Sequence, residues 1–323
     1  MTRTRVPTRT GVLRAAEKVA AILPRTPLLE TRIDGRRVWC KAESLQPVGA
    51  FKIRGAWHRL TDLSEAERAR GVIGVSSGNH AQGLAWAAQR LGIAATIVMP
   101  SDAPRIKLEN TRALGATVVL YDRPGGEDRD TLAERLQADT GATLVHAFDN
   151  PWIVEGQGST GIEIAAQFAE RGLDPPTRLV APCGGGGLAA GLALACPEAE
   201  VVPVEPEGWD SMGMSLAAGE IVPVGTTPPA TICDALQPPS TRETPFAVLR
   251  ERDVRAVTVS DAEVREAQRF AFAQLRLVLE PGGAAALAAS LAGKVDVDGT
   301  TVIVLSGGNT DAQSFAGVLA EAD

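Results

Sequence analysis

Lys52 stands in Val48-Gly49-Ala50-Phe51-Lys52-Ile53-Arg54-Gly55-Ala56, an apolar setting for one of only five lysines among 32 basic residues. Among such neighbours an ammonium loses hydration, its pKa falls, and a neutral amine becomes available to attack a carbonyl. In isolation a surface lysine at a helix start reads the same way. Three further turns bear on the choice. Val75-Ser76-Ser77-Gly78-Asn79-His80-Ala81 follows an apolar run and opens a helical pattern. Backbone N–H groups at such a helix start bind a carboxylate, unless the Ser and Asn side chains only cap the helix. Pro182-Cys183-Gly184-Gly185-Gly186-Gly187-Leu188 sets four glycines between a strand and an Ala/Leu-rich helix. Ordinary loops avoid the entropy of such a run, and its N–H groups can turn inward around a phosphate. In Leu305-Ser306-Gly307-Gly308-Asn309-Thr310 a serine at a strand end could bond a ring nitrogen, the glycines allowing close approach; a tight turn before the last helix is the alternative.

Other nucleotide signatures fit less well. The glycines do not follow Gly-x-Gly-x-x-Gly and no Walker Lys-Ser/Thr follows them, although Glu205 lies about twenty residues on, where a ribose-binding acid would stand. Glu205 and Asp210 share an oxygen-rich turn that could take Mg2+ or be a solvated acidic turn. Glu280, after the apolar Leu277-Val278-Leu279, is a candidate capping or site carboxylate. Tyr121 is the only tyrosine, and nothing around it suggests a base. Cys40, Cys183, Cys196 and Cys233 are widely spaced and only three histidines are present, which argues against zinc and for reduced thiols in a cytoplasmic protein.

The elements that must position these residues alternate. Strand-length apolar runs at 37–41, 72–75, 94–98, 117–120, 143–146, 178–181, 200–204 and 301–305 are interleaved with helical periodicity. The helices are expected at 79–91, 105–114, 131–140, 156–171, 188–195, 261–275 and 282–291. This alternation predicts an α/β protein of twisted, mostly parallel sheets with helices on both faces and ligands at the strands' carboxyl ends. Residues 71–146 pack four short strand–helix units together and read as a small domain inserted in a larger one. The Pro- and Thr-rich stretch 219–244 reads as a long irregular loop near a site. With 323 residues, 45% hydrophobic, the chain is long enough for two cores. A net charge of −7 without a long basic run argues against nucleic acid or an anionic membrane as partner. No apolar stretch reaches a membrane span, and residues 1–10 read as a disordered tail.

Taken together, the order and spacing of the lysine segment, the Ser-Ser-Gly-Asn-His turn, the tetraglycine loop and the Ser-Gly-Gly-Asn turn resemble the fold-type II pyridoxal phosphate enzymes, specifically the serine/threonine dehydratase and serine racemase group. The resemblance runs from Arg25-Thr26-Pro27-Leu28 to Asn309. It implies a two-domain, tryptophan synthase beta-like fold, with 1–52 and 149–323 as a large cofactor-binding domain and 53–148 as a small mobile one. It further implies that Lys52 is the Schiff-base lysine and Phe51 the ring beside the pyridine. Asn79 would bond the cofactor's phenolic oxygen, Gly184, Gly185, Gly186, Gly187 and Leu188 the phosphate, and Ser306 the pyridine nitrogen. Ser76, Ser77, Asn79 and His80 would receive the substrate carboxylate, and Arg129 could reach a carboxylate from the small domain. Glu205 matches one divalent-cation ligand of the racemase branch, with Asp210 nearby but shifted.

The implied activity is loss of water and ammonia from a β-hydroxy amino acid such as L-threonine or L-serine, giving a 2-oxo acid. The Lys52 amine removes the α proton, and the cofactor acts as electron sink. Ser77 stands where simple threonine dehydratases carry alanine and the racemase branch carries serine, so racemisation is a second expectation. Arg129 opens a third, a 3-hydroxyaspartate dehydratase. Ala50 replaces a frequent serine and Ala235 a usual glycine. A homodimer or homotetramer without a regulatory domain is expected. Two rivals stand beside this: a sulfur-transfer synthase, whose lysine segment would read Ser-x-Lys-Asp-Arg, and a non-catalytic nucleotide-binding module.

Overall fold

The computed structural model describes residues 5–76, 78–103, 105–122, 125–252 and 254–320. From the start run α1 (Arg9–Ala20), β1 (Leu28–Ile33), β2 (Arg36–Ala42), α2 (Lys52–Thr61), α3 (Glu65–Arg70), β3 (Val72–Val75) and α4 (Asn79–Leu91). Then come β4 (Ala95–Pro100), α5 (Arg105–Ala113), β5 (Thr117–Tyr121), α6 (Arg129–Thr140), β6 (Thr143–Leu144) and α7 (Pro151–Glu170). Next are β7 (Arg178–Pro182), α8 (Gly187–Ala195), β8 (Glu200–Pro206), α9 (Ser211–Ala218) and α10 (Glu243–Arg250). The remainder is β9 (Val257–Val259), α11 (Asp261–Phe270), α12 (Pro281–Leu291), β10 (Thr301–Leu305) and α13 (Ala312–Ala320).

Two sheets result. The larger has the order β1-β2-β10-β7-β8-β9, parallel except for the β1–β2 pair. The smaller, β5-β4-β3-β6, is parallel throughout. Helices cover both faces, which is why the Thr-Val-Ile-Val-Leu run of β10 is buried at every position. In each sheet the strand order reverses once. The chain leaves β7 toward β8 and β9 and returns on the other side as β10; it leaves β3 toward β4 and β5 and returns as β6. Loops at the carboxyl ends of strands flanking a reversal diverge and open a crevice. Ser76, His146, Gly184 and Ser306 all follow such strands.

Glycines set the helices that carry the site. A Cβ on Gly156 of α7 would lie 2.5 Å from the Cα of Gly55 in α2, and one on Gly191 of α8 would lie 2.5 Å from the nitrogen of Gly158 in α7. The lysine-bearing and glycine-cup helices therefore both rest, backbone on backbone, against α7. Beside this contact, Arg54 is fully buried and bonds both oxygens of Glu43 (2.7 and 2.8 Å) and of Glu163 (2.7 and 2.9 Å). Lys41 shares Glu163, so two cations meet two anions out of water. Removing one partner leaves uncompensated buried charge, so Arg54→Met should lose about 3–5 kcal/mol of stability. Urea unfolding checks this, and a loss under about 1 kcal/mol would mean that the network is dispensable.

Several expectations change. The tail read as disordered is ordered from Arg5: Thr8 caps α1, and Arg5 pairs with the buried Glu155 at 2.5 Å while its guanidinium lies over Trp152. Short arginine-rich segments carry no apolar signal, so a cap and a buried ion pair are invisible in them. Helix α7 starts at Pro151, not 156, because Asn150 accepts N–H bonds from Trp152 and Ile153 and proline suits the first helical position. The helix expected at 261–275 ends at Phe270 and continues as a π-turn over 271–275. Within 219–244, an irregular run leads to a short 3-10 turn at Asp234–Leu236. All four cysteines are free. Among the described residues no helix is long and apolar enough to cross a membrane.

Candidate active site

A cavity of about 390 Å³ opens where the two crevices face each other, with Lys52, Asn79, Gly185 and Ser306 in its walls. Lys52 is the first residue of α2 and half-buried; its Nζ donates to the carbonyl of Ala147 at 3.0 Å and lies 5.2 Å from the centre of the Phe51 ring. Desolvation draws its pKa down to about 8, against the pull of the Glu280 carboxylate. Lys41, the other deeply placed lysine, differs: it holds the carbonyl of Thr26 together with Glu163 and Gln167 and leaves no donor over. The lysine turn is laced to the serine turn. Phe51 N–H bonds the Ser306 carbonyl at 3.1 Å, Gly308 N–H bonds the Gly49 carbonyl at 2.9 Å, and the buried Ala50 pairs with Gly307.

The glycine run forms a cup that side chains would fill. A Cβ on Gly185 would meet the Phe148 ring at 2.3 Å; Gly186 has φ +91, and a Cβ there would meet Met212 at 2.3 Å. Helix α8 begins at Gly187 and presents its unpaired N–H groups to the cavity that also holds Leu188. Thr241 braces the cup from outside by donating to the Gly185 carbonyl at 3.2 Å. This donor set suits a phosphate dianion.

Between lysine and cup, Asn79 donates to Glu280 at 2.5 Å and accepts from Asn309 at 2.7 Å. One amide hydrogen of Asn79 is left for an oxygen in the cavity. Burial pushes the Glu280 carboxyl up to about 7, the Asn79 bond opposing this. Ser306 is 5% exposed and its hydroxyl has no partner among the described residues. An orphaned hydroxyl, a spare amide hydrogen, a poorly hydrated amine and a phosphate cup within one cavity together fit pyridoxal phosphate.

The turn at the start of α4 behaves unevenly. Ser76 accepts the Gly78 N–H at 3.1 Å, and Ser77 lies outside the described residues. His80 lines the cavity: its Nε2 bonds the Val145 carbonyl at 2.9 Å, its Nδ1 is buried without a partner among the described residues, and burial followed by the Lys52 charge lowers its pKa to about 3. It ties α4 to the residue after β6, and Ser76, Gly78 and Asn79 of the turn line the cavity beside it.

Arg129, the first residue of α6, lines the cavity with its side chain about 44% exposed. The same cavity is lined by residues that the sequence did not single out: Lys107, Asp130, His146, Phe148, Asp149 and Arg242. Lys107 on α5 pairs with Asp234 across the mouth. They come from α5, α6, the loop after β6 and the turn before α10, with no shared motif; position just past a strand end would have found His146, Phe148 and Asp149. Ala235, in place of the usual glycine, also lines the cavity. Glu205 and Asp210, expected as metal ligands, do not line this cavity. Glu205 is fully buried, with both oxygens taken by the N–H groups of Met212 (2.9 Å) and Gly213 (2.8 Å) at the start of α9, and Asp210 sits at the N-cap without a capping bond. Burial raises the Glu205 pKa to about 8. Among the described residues no group of three or more His, Cys, Asp or Glu side chains is gathered as for a metal.

Fold and cavity fit a protein that takes a phosphorylated aldehyde cofactor between two largely parallel sheets. The chain belongs to the family described as pyridoxal-phosphate dependent enzyme, of fold type II, whose profile matches residues 20–307. It is 40% identical over 317 residues to an L-threo-3-hydroxyaspartate ammonia-lyase from Pseudomonas sp, covering 95% of this chain and 97% of that one. It is 37% identical to a serine racemase from Schizosaccharomyces pombe, covering 98% of each. Among solved structures, a maize serine racemase superposes with a TM-score of 0.88 at 31% identity, covering 98% of each chain. The chain is thus a pyridoxal-phosphate dependent enzyme of the ammonia-lyase and racemase group, which sets aside the non-catalytic nucleotide module.

Proposed function

We propose that this enzyme is an ammonia-lyase that converts a β-hydroxy amino acid to a 2-oxo acid and ammonia, with 3-hydroxyaspartate favoured over threonine or serine. The observation that carries the reaction type is the Lys52 amine, held by one carbonyl and opening onto the cavity that contains the glycine cup. Pyridoxal phosphate, when bound, supplies an electron sink for charge left at Cα. Gly184 to Leu188 would hold its phosphate, Phe51 would flank its ring, Asn79 would bond its phenolic oxygen and Ser306 its ring nitrogen.

The chain's own part follows from its geometry. A Lys52 amine with a pKa near 8 is partly neutral at neutral pH and can take the α proton; the Ala147 carbonyl aims it. Backbone N–H groups at the start of α4, with Ser76, would receive the α-carboxylate. The Cα–H and Cβ–O bonds break and the hydroxyl leaves as water. The released enamine tautomerises to an imine, takes up water and loses ammonia. No net oxidation occurs. A neutral serine at the ring nitrogen favours prompt loss of the β group over slower transamination.

In this reading residues 53–148 are a small domain that closes on the large one formed by 1–52 and 149–323, excluding water. The Lys107–Asp234 pair supports it by joining α5 to the turn before the cup's brace. Arg129 supports the dicarboxylic substrate, as does similarity to a protein named for that substrate. Similarity to a serine racemase favours a second activity, racemisation, with Ser77 as the proposed second proton donor. The enzyme is proposed to act in the cytoplasm as a homo-oligomer.

A panel of L- and D-serine, threonine and 3-hydroxyaspartate, read by 2-oxo acid formation and chiral analysis, tests this. Arg129→Ala should lower kcat/KM on 3-hydroxyaspartate about tenfold more than on serine, the worth of a charged hydrogen bond. Equal losses would remove Arg129 from substrate recognition. Oxo acid from threonine alone would overturn the substrate assignment, and an inverted α-carbon without oxo acid would favour the racemase.

A further inference from the structure

At the mouth of the cavity one carboxylate lies between two guanidinium groups that belong to different parts of the fold. Asp130 Oδ1 is 3.6 Å from Arg129, its neighbour on α6, and Oδ2 is 4.0 Å from Arg242, in the turn that opens α10. All three residues line the same cavity as Lys52. Both contacts exceed hydrogen-bond length, and each side chain is about half exposed (44%, 51% and 49% for Arg129, Asp130 and Arg242). Such pairs are weak and readily exchanged.

Arg242 is the fixed member. Thr241 before it bonds the Gly185 carbonyl of the cup and, through its N–H, the Ser211 hydroxyl at 2.9 Å; Thr244 after it donates its N–H to Asp149 at 3.1 Å. Its backbone is therefore registered to the cup. Arg129 and Asp130 ride on α6, whose start is capped by Asp128. A guanidinium presents a planar fork that matches a carboxylate with two parallel bonds, whereas neither arginine achieves this with Asp130.

We propose that Arg242 is a specificity-determining residue that, together with Arg129, takes the distal carboxylate of a dicarboxylic amino acid, and that Asp130 is the internal carboxylate this group displaces. A substrate held at its other end reaches the pair at high effective concentration, so it outcompetes a loosely held aspartate. A hydroxyl or methyl side chain offers no such exchange, and Asp130 then keeps the guanidinium groups. The proposal rests on the ammonia-lyase reading for its kinetic arm only.

The test uses the holoenzyme and three variants, Arg242→Ala, Arg242→Lys and Asp130→Asn. Succinate and propionate are the probes, with thermal shift and competitive inhibition as readouts. Wild type should bind succinate in preference to propionate. Arg242→Ala should cut that preference about tenfold, Arg242→Lys should cut it less, and Asp130→Asn should enlarge it. On substrates, Arg242→Ala should lower the ratio of kcat/KM for 3-hydroxyaspartate to that for serine by a similar factor, mainly through KM. The proposal is overturned by any of three results: no succinate preference in wild type, equal weakening of both probes by Arg242→Ala, or weaker succinate binding by Asp130→Asn. Should wild type form no oxo acid from any hydroxy amino acid while the succinate preference still depends on Arg242, the ammonia-lyase reading fails and the carboxylate subsite stands.

Discussion

Lys52→Ala should yield a folded enzyme in which formation of oxo acid falls by at least about ten-thousand-fold, the upper range for a lost proton-transfer group. The same amine is assigned both cofactor attachment and α-proton removal, so no second group can cover for it. Folding should survive, because Lys52 makes one hydrogen bond and carries a charge that burial disfavours. Its stability in urea is expected at or above wild type. Lys52→Arg separates charge from chemistry. It keeps a cation near Phe51 and Glu280, yet a guanidinium stays protonated and cannot attack or act as base. It should be as inactive as the alanine variant. Oxo acid formation by either variant at more than about a hundredth of the wild-type rate would mean that another group abstracts the proton.

Gly185→Ala is expected to have the second largest effect, on cofactor retention. The added methyl would meet the Phe148 ring at 2.3 Å, closer than side-chain carbons approach, so either the ring or the loop must move. Phe148 is stacked edge-on against His146, with ring centres 4.6 Å apart, and the Gly185 carbonyl is held by Thr241, so neither yields freely. Overpacking of this kind costs about 1–3 kcal/mol, and the distortion falls on the backbone donors assigned to the phosphate. Affinity for pyridoxal phosphate should drop at least tenfold, or roughly 1.4 kcal/mol, measured by reconstituting apoenzyme. Gly317→Ala, where a Cβ meets nothing within 4 Å, is the control and should not change it. Full cofactor content at wild-type affinity in Gly185→Ala would mean that the phosphate lies elsewhere.

The sequence was legible where chemistry imposes residue types. Four glycines after a buried strand, a lysine among apolar side chains and a serine at the end of the last strand each follow from what a backbone cup, a poorly hydrated amine and a ring partner require. The alternation of strands and helices likewise led to parallel sheets. What stayed hidden depends on distance rather than type. Strand β1, Leu-Leu-Glu-Thr-Arg-Ile, carries its charges, Glu30 and Arg32, on its two exposed positions and so lacked an apolar run. The N–H groups of Met212 and Gly213 on the two oxygens of Glu205 were hidden as well, since backbone donors leave no mark in a sequence. The bond from His80 Nε2 to the Val145 carbonyl is likewise a contact to backbone that a sequence does not show. Arg242 and Asp130 are 112 residues apart and share no motif; only the facing of the two sheets brings them together.

The central claim is that one amine, that of Lys52, carries the cofactor. Borohydride reduction of the holoenzyme, digestion and mass spectrometry of the peptides test it most directly. The account predicts a pyridoxyl phosphate adduct on the peptide containing Phe51-Lys52-Ile53 and on no other. An adduct on Lys18, Lys41, Lys107 or Lys294, or an unmodified Lys52 in protein that retains its cofactor, would contradict it.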